Sequence, residues 1–567
     1  MSLDRRAFVA YFGTAGLSTT LLPGVLWGMA QEQETITKEM VAQAETIAGL
    51  EFTDEERETI ATGLSRSVRN YERLREVELA NSVLPAVQFD PVLPGMELPA
   101  DRRAIRYTRE AGVRRPADLE QVAFWPVTRL AELIRTRQVL PSELTDMYIA
   151  RVKRYDPQLH AVVTLTEERA REQAARLDAE VRAGTYRGPL HGIPWGAKDL
   201  LATARYPTTW GASPYRDQML DYDASVVERL DAAGAVLIAK LTMGALAQGD
   251  RWFGGMTRNP WHPEEGSSGS SAGPGSATAA GLVGFAIGTE TLGSIVSPST
   301  RNGVTGLRPT FGRVSRYGAM ALSWSMDKIG PMCRSVEDCA LVLAAIHGPD
   351  DRDPTVHDVP FNWDAQRELS DIRIGYFRSA FERTNDEGQR NEFDAAALAA
   401  MQRIVPNMVE VELPVTDYPL QAISGSVLGV EAAAAFDELT RSNRDEMLVP
   451  LPERSSWPNT FRNARFVPAV EYINANRVRT LVMQAMDRAM RAVDVVITPN
   501  NALLLTNLTG HPQVSLPAGF TQRDDVNVPV SAQFIGRLYG EADMLRVAKA
   551  WQDATGHHLH VPPAFAV

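Results

Sequence analysis

The chain has 567 residues, 44% of them hydrophobic and 23% charged, so it is long enough for a large core and too apolar for wholesale disorder. A net charge of −12 argues against a nucleic-acid-binding protein, which needs a basic face. Neither of the two cysteines, Cys333 and Cys339, sits in a Cys/His cluster, so no metal site is expected. Both fall in an apparent helix, six positions apart, on different faces, and are not expected to pair.

Residues 1–30 read as an export signal. Arg5 and Arg6 precede an apolar segment rich in small residues, and Gly28, Met29 and Ala30 offer a small-x-small cleavage site. The paired arginines resemble the twin-arginine export motif, which implies the export machinery as a partner and a periplasmic or secreted product. No other stretch reaches membrane length, so no stable anchor is expected once the signal is removed. Residues 31–125 form a second unit. It is helical to about 82, with Thr53 and Glu56 as a capping box, and then a connector carrying Pro85, Pro91, Pro94, Pro99 and Pro116. Residues 126–567 form the main domain.

Within it, apolar runs at 161–164, 193–195, 235–239, 283–287, 372–376, 409–413, 495–497, 514–516 and 530–534 read as strands. Helical periodicity marks 127–138, 142–155, 166–183, 224–233, 335–347, 393–404, 427–440, 468–493 and 541–554. This alternation predicts an α/β fold around a mostly buried sheet. The proline-bearing segment 440–466 reads as a long loop over the site.

Only six of the 58 basic residues are lysines: Lys38, Lys153, Lys198, Lys240, Lys328 and Lys549. Arginine keeps its proton in a protein whereas a buried lysine can lose it, so a lysine in an apolar stretch is a candidate base. Lys198 stands among Ile193, Trp195, Ala197 and Leu200. Downstream, residues 266–313 combine glycine and hydroxyl residues with few charges, suited to a backbone that turns tightly and presents N–H and O–H groups to a ligand. Gly269 to Gly273 fits G-x-S-x-G. That motif needs a buried strand before it, and the preceding residues cannot form one. His511 and the tail histidines His557, His558 and His560 are poor candidates for a Ser-His-Asp arrangement, and His191 reads as structural.

Several blocks taken together are specific: GPLHGIPWGAKDL at 188–200, SGSSAGPGSATAAG at 268–281, GTETLGSIVSP at 288–298 and VTGLRPTFGRVS at 304–315. They resemble the amidase signature family of serine hydrolases, over roughly residues 126–560. The resemblance implies a large mixed β-sheet covered by helices on both faces, with no cofactor or metal. It implies a Ser-cisSer-Lys site that cleaves a small-molecule amide through an acyl-enzyme. Ser294 matches the nucleophile, Ser270, 24 residues earlier, the relay serine preceded by a cis bond, and Lys198 the base. Ser271 matches a supporting serine, and the backbone N–H groups of Thr291, Leu292, Gly293 and Ser294 fall at the oxyanion hole.

Such a site is chemically coherent. A serine hydroxyl needs a base to take its proton, a desolvated lysine can be that base, and a hydroxyl between them can both accept and donate. Three positions depart from the commonest family pattern: Leu292 replaces a second glycine, Glu290 an aspartate and Val296 an arginine. The same site serves an ester or carbamate hydrolase. Rival readings are the glutaminase subunit of an amidotransferase and a non-catalytic homologue.

Overall fold

The apolar runs become strands of one mixed sheet. The structure, a computed structural model, describes residues 36–77, 79–384, 391–449, 456–499 and 502–567, so the export-signal segment 1–30 lies outside the described residues. In chain order the strands begin with β1 Val162–Leu165, β2 Pro194–Lys198 and β3 Val236–Leu241. Two small hairpins follow, β4 Arg251–Trp252 with β5 Gly255–Met256, and β6 Arg258–Asn259 with β7 His262–Gly266. The main sheet resumes with β8 Phe285–Glu290, β9 Thr305–Arg308, β10 Lys328–Cys333 and β11 Ile374–Phe377. It ends with β12 Val409–Val411, β13 Val495–Thr498, β14 Gln513–Arg523 and β15 Val526–Gly536.

The spatial order is β1-β3-β2-β8-β10-β9-β14-β15-β13-β11-β12. Strand β2 lies parallel to both β3 and β8 at the centre of one half. These strands are buried on both faces, which is why VLIAKL in β3 reads as an unbroken apolar run with a single lysine. Val236 and Ile238 pack with Tyr148 and Ala174 of the helices Pro141–Leu159 and Glu167–Ala183. Leu237 belongs to the opposite core, with Val226 and with Leu341 of the helix Val336–Ile346. Helices therefore cover both faces, and the two-residue period of the strand distributes its side chains between them.

Before the sheet, the helices Lys38–Ala48 and Asp54–Arg75 form a pair around Met40, Val41 and Ala61. Thr53 and Glu56 exchange the two hydrogen bonds of the capping box, at 2.7 and 3.3 Å. Among the described residues no helix is long and apolar enough to cross a membrane.

Three readings of the sequence change. The segment 440–466 carries the helix Trp457–Ala464, held down by the Trp457 indole, which stacks on Phe461 and donates to the Leu246 carbonyl at 3.0 Å. Cys333 ends strand β10 and only Cys339 is helical; both are buried and free. The glycine- and serine-rich stretch holds two helices, Ala272–Ala279 and Val296–Asn302, that its composition did not announce.

Candidate active site

Strand β2 ends on Lys198, which is wholly buried beside β8. Its ammonium or amine nitrogen meets hydroxyls and a carbonyl. Nζ lies 2.8 Å from Ser270 Oγ, 3.1 Å from Ser271 Oγ, 2.9 Å from Thr289 Oγ1 and 3.3 Å from the Thr289 carbonyl. No carboxylate lies within ion-pair distance of it among the described residues. Burial pulls its pKa down to about 7, against smaller upward pulls from Asp327 and Glu290. Asp199, the carboxylate next in sequence, is not its partner. It faces Lys240 on β3, Nζ to Oδ1 3.0 Å, both residues fully buried, and it accepts from the Thr209 hydroxyl.

Ser270 and Ser271 precede the helix Ala272–Ala279, and the Gly269–Ser270 peptide bond is cis. Glycine at 269 is required by close approach, since a Cβ there would fall 1.8 Å from the Gly249 carbonyl oxygen. Ser271 ties this turn to β8. Its Oγ accepts from the Thr289 N–H at 3.1 Å and donates to the Thr289 carbonyl at 3.0 Å. Its N–H donates to the Ser294 carbonyl at 3.1 Å. The backbone bearing Ser294 is thus stitched to the turn bearing Ser270, and both side chains are almost wholly buried.

The loop 291–295 is clamped from below. Glu290 Oε2 accepts the N–H groups of Ile295 and Val296 at 2.8 and 2.9 Å, at the start of the helix Val296–Asn302. Its Oε1 accepts from Arg308 and from the Asn507 amide, each at 2.8 Å. Burial alone would raise the Glu290 pKa, but the charges of Arg308 and Lys328 and the Val296 N–H hold it at about 2, so the clamp is anionic at neutral pH. Thr291 Oγ1 donates to Asp327 at 2.5 Å. With both ends fixed, Gly293 makes the turn at φ 88°, a left-handed conformation that glycine adopts without strain. Leu292, half-buried, packs against the apolar cluster that includes Leu505 and Met326, so the side chain in place of the second glycine lies at the edge of the core. Val296 is wholly buried.

Every residue singled out from the sequence thus falls in one neighbourhood: Lys198, Ser270 and Ser271 in direct contact, Thr291, Leu292, Gly293 and Ser294 on the adjoining loop. Sequence reasoning missed Thr289, Arg308 and Asn507. A hydroxyl at the end of a strand following the Gly/Ser block was a usable signal for Thr289; nothing local marks the other two. His191 is a buried structural residue whose Nδ1 accepts from the Arg187 N–H. Ser276, in the same serine-rich block, donates instead to the Arg258 carbonyl.

Comparison with known proteins agrees with this architecture. A family model described as Amidase matches residues 143–505. A glutamyl-tRNA(Gln) amidotransferase subunit from Moorella thermoacetica is 34% identical over 481 residues, covering 76% of this chain and 97% of that one. A putative amidase, AmiD, of Mycobacterium tuberculosis is 35% identical over 480 residues, covering 79% and 97%. The native peptide amidase of Stenotrophomonas maltophilia superposes with a TM-score of 0.68 at 29% identity, over 79% of this chain and all of that one. The chain belongs to the amidase family. It is an amide-hydrolysing enzyme with the mixed-sheet α/β fold of that family.

Proposed function

We propose that the protein hydrolyses a small-molecule carboxylic amide through an acyl-enzyme on Ser294. The observation that carries this reading is the buried Lys198 amine, 2.8 Å from Ser270 Oγ with a pKa near neutrality. A lysine whose pKa is lowered towards neutrality can take a proton, and Ser270 can pass one on from Ser294. Ser294 Oγ then attacks the carbonyl carbon, and the N–H groups of Thr291, Leu292, Gly293 and Ser294 hold the oxyanion. The proton returns through Ser270 to the leaving amine as the C–N bond breaks. Water, deprotonated by the same pair, releases the acid and restores the hydroxyl. Ser271 and Thr289 orient the lysine, and no step calls for a metal or cofactor. Replacement of Ser294 by alanine tests the assignment, because retained amide hydrolysis refutes it.

The name of the Moorella relative favours a second reading, in which the chain is a glutaminase that feeds ammonia to a partner. Glutamine hydrolysis that appears only on mixing with the other amidotransferase components would select it. The twin-arginine-type segment 1–30 supports export instead, with a periplasmic or secreted enzyme acting on small amides. Substitution of Arg5 and Arg6 by lysine tests this, with cytoplasmic retention as the expected outcome. Matched amide, ester and carbamate substrates separate amidase from esterase or urethane hydrolase.

A further inference from the structure

A cavity of about 60 Å³ lies beside the oxyanion loop, and part of its wall comes from the N-terminal extension. Its inner side is Thr289, which contacts Lys198, and Thr291 of the loop; its outer side is Asn81, Ser82 and Leu84. The strap bearing these residues precedes the region matched by the family model, which starts at residue 143. It is nevertheless firmly seated. The Asn81 amide donates to the Ala321 carbonyl at 2.9 Å and accepts from the Ala321 N–H at 2.7 Å. Phe89 sits edge-on to Phe311, and the buried Arg479 guanidinium lies 3.6 Å from its ring centroid. Asp90 faces His357 at 3.2 Å.

The charged groups around the cavity are already engaged. Arg316 pairs with Asp353, Asp327 accepts from Thr291, Leu322 and Ser323, and Lys328 donates to Asn507. What remains for an occupant is mainly apolar surface from Leu84, Leu200, Met320 and Ile329, with the Ser82 and Tyr317 side chains in the wall and one buried and unpaired donor, the Trp324 indole N–H. One water requires about 10–15 Å³, so the space suits a compact group of a few heavy atoms.

We propose that this cavity is a substrate subsite and that the strap at 81–84 closes it. It selects amides with a compact, uncharged, mainly apolar substituent. The inference rests on the proposed chemistry at Ser294.

The test compares full-length wild type with Leu84→Trp, which fills the cavity, and Asn81→Ala, which frees the strap. Two series of amides are used: p-nitroanilides of acetic, butyric and phenylacetic acid, and acetamides of amines of rising bulk. For the series whose variable group enters the cavity, Leu84→Trp is expected to lower kcat/KM for the butyryl-sized member about tenfold or more relative to the smallest. The change falls mainly in KM, and Asn81→Ala is expected to relax the limit on bulk. Unchanged ratios in both series for both variants overturn the subsite while leaving hydrolysis at Ser294 intact. Wild type that hydrolyses no member and whose Ser294 resists a fluorophosphonate probe overturns the proposed chemistry and the subsite together.

Discussion

Two lysines are sealed in this protein on adjacent strands, and they differ in what faces them. Lys198 on β2 and Lys240 on β3 are both wholly buried, and burial lowers the pKa of each. Lys240 has Asp199 at 3.0 Å and the Thr208 hydroxyl at 2.8 Å. Lys198 has three hydroxyls and a carbonyl. A carboxylate at ion-pair distance favours the charged lysine, whereas hydroxyls serve either form. The first arrangement fixes a structural ion pair; the second leaves an amine free to exchange its proton near pH 7. Burial alone therefore does not make a base, and the groups facing the nitrogen decide: Lys328 on β10, buried too and without a carboxylate at ion-pair distance among the described residues, donates to the Asn507 side-chain oxygen and the Thr291 carbonyl.

Substitutions sharpen this contrast. Ser294→Ala is expected to have the largest effect, lowering kcat by about 10³-fold or more, as nucleophile removal does in other acyl-enzyme systems, with folding unchanged. Lys198→Met follows, with a loss of about 10²–10⁴-fold, the range for a general base. Lys240→Met should do the reverse. It strands Asp199 in the core, at a cost of about 3–5 kcal/mol of stability by thermal or denaturant unfolding, while the protein that remains folded still turns over. If Lys240→Met abolishes turnover without destabilising the fold, the contrast fails.

Gly293→Ala probes the loop. The added Cβ would meet Leu503 and Ser297 at 3.0 Å in a left-handed backbone, displacing the proposed oxyanion donors. Loss of one such donor costs about 2.7–4 kcal/mol of barrier, read as a fall in kcat with little change in KM. Thr289→Val is the mildest. It removes one of four Lys198 contacts, and a net hydrogen bond of about 0.5–1.5 kcal/mol predicts a roughly two- to thirteenfold fall.

Much of the scaffold was legible in the sequence because buried parallel strands are continuous apolar runs. All nine expected strands have a counterpart in the sheet. Strands β9 and β10 were not anticipated. TGLR is short, and KIGPMC carries a lysine, a glycine and a proline that read as loop. The helices Ala272–Ala279 and Val296–Asn302 hid for the same reason: glycine, serine and proline lower local helix propensity, and burial against neighbouring strands overrides it. The site was visible as blocks of residues more than as a pattern of physics. Lys198 could be flagged from its apolar surroundings, but the turn of Asp199 towards Lys240 could not. That choice depends on the pairing of β2 with β3, where Lys198 lies opposite Leu241 and Lys240 opposite Ala197. Arg308 and Asn507 meet Glu290 only through the fold.

The pH dependence of kcat/KM on an anilide substrate tests the central claim most directly, because it reports the essential groups of the free enzyme. A lysine whose folded pKa is about 7 is protonated and idle below that value and neutral above it. In wild type, kcat/KM is predicted to rise through pH about 7 to a plateau. Lys240→Met should keep that limb, and the residual activity of Lys198→Met should lack it. An unaltered limb in Lys198→Met, or a wild-type limb near the ordinary lysine value, would contradict the account.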